Sequence, residues 1–156
     1  MKSVKWLYAL FFALTFTLAV EMTGAFAVQS GAEWYRTLTL PSFAVSGACH
    51  SVLWCIVYAL EAFVISQLLV GNNFKPFIAE YLCIKFLSAV WTVCFFGWNR
   101  PFLCLAIITV ILAFNFIYQK NLLKLRAHPL KSLVFFPVLL WYCYLWIMNY
   151  CIVLMN

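Results

Sequence analysis

Five long apolar stretches, separated by short polar and proline-bearing segments, dominate the chain. They cover roughly residues 6–28, 48–70, 77–96, 102–122 and 133–154. Each approaches or exceeds the ~20 residues that an α-helix needs to cross ~30 Å of hydrocarbon. Pro76, Pro101 and Pro129 stand at or just before helix starts, where a missing N–H costs nothing. Pro137 lies inside the fifth stretch and predicts a kink in its first turns. The pattern predicts an all-α membrane protein, a five-transmembrane-helix bundle forming one domain over 1–156. No repeat, low-complexity tract or linker interrupts it. In the first stretch, Lys2 and Lys5 precede the apolar core and Ala25-Phe26-Ala27 resembles a signal-peptidase site. The stretch is long for a leader and Trp34-Tyr35 follows almost at once, so it is read as a retained span.

Polar residues inside the spans carry the next layer of information, because hydrocarbon offers them no partner. On the second helix His50, Trp54, Tyr58 and Glu61 share an arc of about 80°, and on the third Tyr81, Lys85, Ser88 and Thr92 share about 60°. On the fifth, Pro137, Trp141, Leu145, Met148 and Asn149 share one broad face. These faces are expected to point into the bundle. Glu61 and Lys85 lie at matching depth from the same membrane face, which predicts a structural ion pair across the interior. Glu21, on the first helix, is expected to reach either His50 or the membrane interface.

Composition settles the class. The chain is 67% hydrophobic and 9% charged, with a mean hydropathy of +1.01. A soluble domain is nearer half apolar and a quarter charged. The net charge of +6 raises nucleic acid as a partner. The basic residues form no aromatic-interleaved patch, however, and gather at helix ends, so no nucleic acid is expected and membrane lipid is. Lys2, Lys5, Lys75, Lys120, Lys124, Arg126 and Lys131 fall on one side of a five-span topology, while Arg36 and Arg100 fall on the other. The positive-inside rule then puts the N-terminus inside and the C-terminus outside. The connection carrying Trp34 to Pro41 lies on the outer face. It is expected to be about 19 residues long, the length of a lid or binding loop.

Reactive chemistry is sparse. Cys55, Cys83, Cys94, Cys104, Cys143 and Cys151 lie inside apolar runs with no CxxC, and read as small hydrophobes. No metal site is expected. G-x-S-x-G, H-E-x-x-H and phosphate-loop motifs are missing, and no helix carries paired carboxylates. No catalytic residue is assigned, and an enzyme is not the favoured reading. His50 invites comparison with a haem ligand, but an imidazole at a helix mouth fits packing or interfacial anchoring better. His128, before Pro129 in the basic inner loop, reads as solvated.

The landmarks together resemble the TspO/MBR family, the tryptophan-rich sensory protein and translocator protein family, over nearly the whole chain. Its W-Y-x-x-L-x-x-P pattern reads Trp34-Tyr35-Arg36-Thr37-Leu38-Thr39-Leu40-Pro41. Its W-x-x-x-Y is Trp54-Cys55-Ile56-Val57-Tyr58, and its F-F-G is Phe95-Phe96-Gly97. The final helix reads Pro137-Val138-Leu139-Leu140-Trp141, then Asn149-Tyr150. The resemblance implies a five-helix bundle, often a homodimer, with a pocket that opens toward the first connection. It also implies a hydrophobic small molecule as partner: porphyrin or haem, or a sterol in some members, with no cofactor required.

There are departures. Phe43 replaces a tryptophan, Val45-Ser46 replaces Pro-Pro, and Ala48 and Val52 replace a tryptophan and a proline. Ser88-Ala89-Val90-Trp91 keeps one indole of a richer motif, and Ile107 replaces an aspartate. No basic residue follows Tyr150 to complete a cholesterol motif, which is weak even when whole. Glu61 stands where the family has glycine, and Lys85 where it has an apolar residue. Helices two and three are not neighbours in the family, so a Glu61–Lys85 pair has to cross the pocket, either closing it or fitting it to a more polar ligand.

The expected protein is therefore a divergent membrane receptor or carrier for a tetrapyrrole-like or other hydrophobic ligand, acting in stress sensing or transport. Trp54, Tyr58, Trp91 and Trp141 are expected as walls with Leu145 and Met148. His50, Ser88 and Asn149 are expected as polar contacts, and Trp34 and Phe43 as parts of a loosely held lid. The alternatives are a light-dependent porphyrin-degrading enzyme and a small proton-coupled transporter subunit. A bacterial membrane is expected over the mitochondrial outer membrane, because the last motif ends without a basic extension.

Overall fold

A computed structural model describes residues 2–70, 75–125 and 129–156. Five helices account for nearly all of them: α1 (Lys2–Thr37), α2 (Gly47–Leu69), α3 (Lys75–Thr92), α4 (Pro101–Lys124) and α5 (Pro129–Met155). All five are long and apolar enough to cross a membrane. Arg126 and His128 lie outside the described residues, and so do the side chains of Lys2 and Lys75.

The helix ends have local causes. Ser46 caps α2, its hydroxyl accepting from the Cys49 N–H at 3.3 Å. Pro101 opens α4 at its first turn. α3 runs directly into a π-helical turn, Val93–Gly97, where the Trp98 N–H reaches the Val93 carbonyl at 3.1 Å. Asn99, at φ 55°, then takes the left-handed conformation that turns the chain toward α4. α5 continues as one helix through Pro137, whose ring lies on the exposed face.

The helices close a ring in the order α1–α2–α5–α4–α3, each packed against the next and α3 returning to α1. In hydrocarbon, helices gain little from burying apolar surface, so close packing and hydrogen bonds hold them together. Gly31 on α1 shows this: it is buried where the helix meets the backbone of Phe96 in the π turn. Tyr118 of α4 lies between Phe77 of α3 and Phe135 of α5, with ring centroids 5.5 and 4.7 Å away.

The first connection differs from expectation. α1 does not end near residue 28 but continues to Thr37, placing Trp34, Tyr35 and Arg36 on its last turns. The remaining loop, 38–46, is short and tied to α5. Asn156 accepts from the Thr39 N–H at 2.9 Å and donates to the Thr39 carbonyl at 3.1 Å. The Val45 N–H donates to the Tyr144 hydroxyl at 3.1 Å, and Phe43 meets the Tyr144 ring edge-on. Val45, unlike a proline, has the N–H that makes the Tyr144 bond. The expected loosely held loop is thus fastened to α5 at both of its ends.

Candidate functional site

The interior of the ring is occupied by charge. Lys85 of α3 reaches across to Glu61 of α2, with side-chain exposures of 0% and 1%. The α1 carboxylate of Glu21 approaches the same ammonium at 3.4 Å and keeps 11% exposure. Glu21 thus joins Lys85, and among the described residues no hydrogen bond links it to His50. The Lys85 ammonium also lies 4.8 Å from the centre of the Tyr58 ring, within cation–π reach.

Hydroxyls extend this cluster toward α5 and α1. Tyr142 donates to Glu61 Oε1 at 3.4 Å and shares a 3.2 Å hydrogen bond with Ser88. Tyr81 is hydrogen-bonded to Thr17, whose hydroxyl also donates to the Ala13 carbonyl. The bundle axis is therefore filled with polar side chains, and open space lies to one side of it.

That space is a cleft of about 400 Å³ between α1, α2 and the junction of α3 with its π turn. Trp54, Tyr58, Trp91 and Phe96 form an aromatic wall, and Gly24 and Ala25 leave room opposite. Leu18, Met22, Val28 and Cys55 are exposed along the rim, so the cleft opens sideways between α1 and α2. Glu21 and His50 supply its ionisable groups. The Trp54 and Tyr58 rings stack at 5.1 Å and 28°. The Trp54 N–H donates to His50 Nε2 at 2.9 Å. An indole can only donate, so this bond leaves Nε2 unprotonated and places the imidazole proton on Nδ1. It also occupies the nitrogen that a metal at this end of the ring would need.

The structure sorts the expected site residues into three groups. His50, Trp54, Tyr58 and Trp91 line the cleft. Leu145, Met148 and Asn149 lie deeper, around a void of about 30 Å³ that shares His50, Trp91 and Phe96 with it. Asn149 accepts from the Trp91 N–H at 3.0 Å and donates to the Pro101 carbonyl at 2.9 Å, so its amide joins α3, α4 and α5. Trp141 backs the wall, its ring centre 5.8 Å from Trp54 and 5.1 Å from His50. Ser88 is held by Tyr142.

Trp34 and Phe43 stand apart from the cleft. Trp34, on α1, packs edge-on against Phe95 at 5.3 Å, and Phe43 lies on Tyr144. Neither forms the expected lid, because the loop follows α5 while the cleft opens between α1 and α2. Sequence reasoning missed the α1 wall. Its signal was the placing of Glu21, Gly24 and Ala25 within one turn, an acid beside two small residues.

All seven cysteines are free thiols. Among the described residues, no three His, Cys, Asp or Glu side chains come close enough together to hold a metal ion. The cleft offers aromatic faces, one carboxylate and one imidazole, an arrangement suited to binding a flat apolar body with a polar edge. A family model described as the TspO/MBR family matches residues 11–155. No curated protein matches the chain.

Proposed function

The chain belongs to the TspO/MBR family of integral multi-pass membrane proteins, and from that premise we propose that it is a membrane receptor or carrier for a flat hydrophobic ligand of the porphyrin or haem kind. Membership supports a sensory or transport role in the membrane. The observation that carries the finer reading is the cleft itself. Its volume of about 400 Å³ falls within the range of small-molecule sites. Trp54, Tyr58, Trp91 and Phe96 form one aromatic wall, and the facing helix is thinned by Gly24 and Ala25. A flat ring enters edgewise between α1 and α2 and lies along Trp54, Trp91 and Phe96. The side opening lets it arrive from the lipid, where such molecules partition. The basic residues gathered near the N-terminal end of α1, the C-terminal end of α4 and the start of α5 support an orientation with the N-terminus inside. The cleft then faces the outer half of the bilayer.

Titration of the purified protein with protoporphyrin IX and with haem, read by quenching of tryptophan emission, tests this. Saturable quenching is expected in the wild type. Trp54→Ala is expected to weaken it roughly tenfold, since it removes a central stacking surface. Quenching that never saturates with either compound would overturn the tetrapyrrole reading.

A further inference from the structure

The cluster beneath the cleft is unbalanced in charge. It brings two carboxylates, Glu21 and Glu61, to one ammonium, Lys85. Glu61 and Lys85 are sealed from the surroundings and hold each other closely, whereas Glu21 makes a longer ion-pair contact, lies beside the Tyr58 hydroxyl and is the carboxylate that lines the cleft. No lysine or arginine lies among the cleft-lining residues. The groups facing the cluster from the other elements are hydroxyls and rings: Thr17 on α1, Tyr58 on α2, Tyr81 and Ser88 on α3, and Tyr142 on α5. A second carboxylate beside one ammonium at the floor of an apolar cleft leaves room for one more positive partner, a proton or a cationic group. The walls around it suit a cation as well, since the aromatic side chains of Trp54, Tyr58 and Trp91 border the same space.

We propose that the cleft favours, among flat aromatic ligands, one bearing a single cationic ammonium group, seated against Glu21 with its apolar body along Trp54 and Trp91. The inference rests on the cleft being the ligand site and adds a preference at its floor, while a porphyrin still binds with its carboxylates at the rim. A ligand with carboxylates meets like charge at the floor and keeps its acid groups at the rim. A neutral ligand gains the stacking but leaves Glu21 uncompensated.

Three pyrene derivatives of one ring size separate the cases: 1-pyrenemethylamine, an ammonium at neutral pH, 1-methylpyrene, neutral, and 1-pyrenecarboxylate, an anion. Their affinities for the full chain are read in detergent by energy transfer from tryptophan, with protein-free micelles subtracted. The ammonium is expected to bind roughly tenfold more tightly than the neutral compound, the scale of one charge-assisted contact. The anion is expected to bind most weakly. Glu21→Gln should bring the ammonium and neutral compounds to within about twofold of each other. Glu61→Gln should do the same without altering the cleft wall, because it leaves Glu21 as the partner of Lys85. Equal binding of ammonium and neutral compounds to the wild type would overturn the proposal, and so would an ammonium preference that survives in Glu21→Gln. Neither of those results affects the cleft as an apolar site. Failure of all three compounds to bind saturably would sink the site reading and this inference together.

Discussion

Replacing Lys85 by methionine is expected to destabilise the bundle by about 3–5 kcal/mol, the cost of leaving one member of a buried ion pair without its partner. Lys85 is wholly buried, and Glu61 beside it retains only 1% exposure. With the ammonium gone, Glu21 still has the cleft to turn toward, but Glu61 does not. Its remaining hydrogen bond comes from the Tyr142 hydroxyl, and one weak 3.4 Å hydrogen bond does not replace an opposite charge. The loss is therefore expected to lie in Glu61 and not in missing packing, because methionine nearly matches the lysine stem in volume. Adding Glu61→Gln to Lys85→Met should restore most of the stability. Thermal or denaturant unfolding in detergent, run on both single variants and the double, reads this directly. Loss in the double equal to the sum of the two single losses would show that the pair is not coupled.

Gly31→Val is expected to be comparably damaging for a steric reason. A Cβ at Gly31 would fall on the Phe96 backbone carbonyl, and backbone in a packed helix cannot step aside as a side-chain tip can. The substitution forces α1 away from the π turn, breaking the contacts of Tyr35 with Phe95 and Phe96. Overpacking of this kind costs about 1–3 kcal/mol and more where the backbone is the obstacle. Two other glycines serve as controls. A Cβ at Gly24 meets only the Thr92 side chain, at 3.1 Å, so Gly24→Ala should be mild. At Gly47 nothing lies within 4 Å, and Gly47→Ala should be neutral. A ranking of Gly31, Gly24, Gly47 by loss of the folded fraction in detergent is the expected result. Tolerance of Gly31→Val at wild-type stability would contradict the close approach of α1 and the π turn.

The span count was legible because hydrocarbon thickness sets a length that the sequence must meet five times. The starts of α4 and α5 were legible because Pro101 and Pro129 stand at them. The end of α1 was not. Gln29, Ser30, Gly31 and Glu33 look like a loop, but they continue the helix, with Gln29, Ser30 and Glu33 exposed and Gly31 packed against Phe96. Reading a loop there placed Trp34 in a lid, when it belongs to the wall of a helix. The approach of Glu61 to Lys85 could be argued from depth alone. Which third group joined them depended on the rotation of α1, whose apolar residues surround it on all sides and leave no preferred face. The location of the cleft was hidden for a related reason. It depends on where α1 parts from α2, and the one mark of that place is Glu21 followed by the small residues Gly24 and Ala25 on α1. Asn149 reads from the sequence as a ligand contact because a buried amide is rare, and its oxygen and its nitrogen each join another helix.

The central claim is that the ligand lies between α1, α2 and α3, and blocking that space tests it most directly. Ala25 lines the cleft and is exposed, so Ala25→Trp fills the opening without disturbing the buried core. Ala106→Trp, on the exposed face of α4, is the matched control. Protoporphyrin IX binding should be followed by the ligand's own absorbance, which the added indoles do not affect. Saturable binding is expected in the wild type and in Ala106→Trp, with its loss in folded Ala25→Trp. Unchanged binding by Ala25→Trp would place the ligand elsewhere in the bundle.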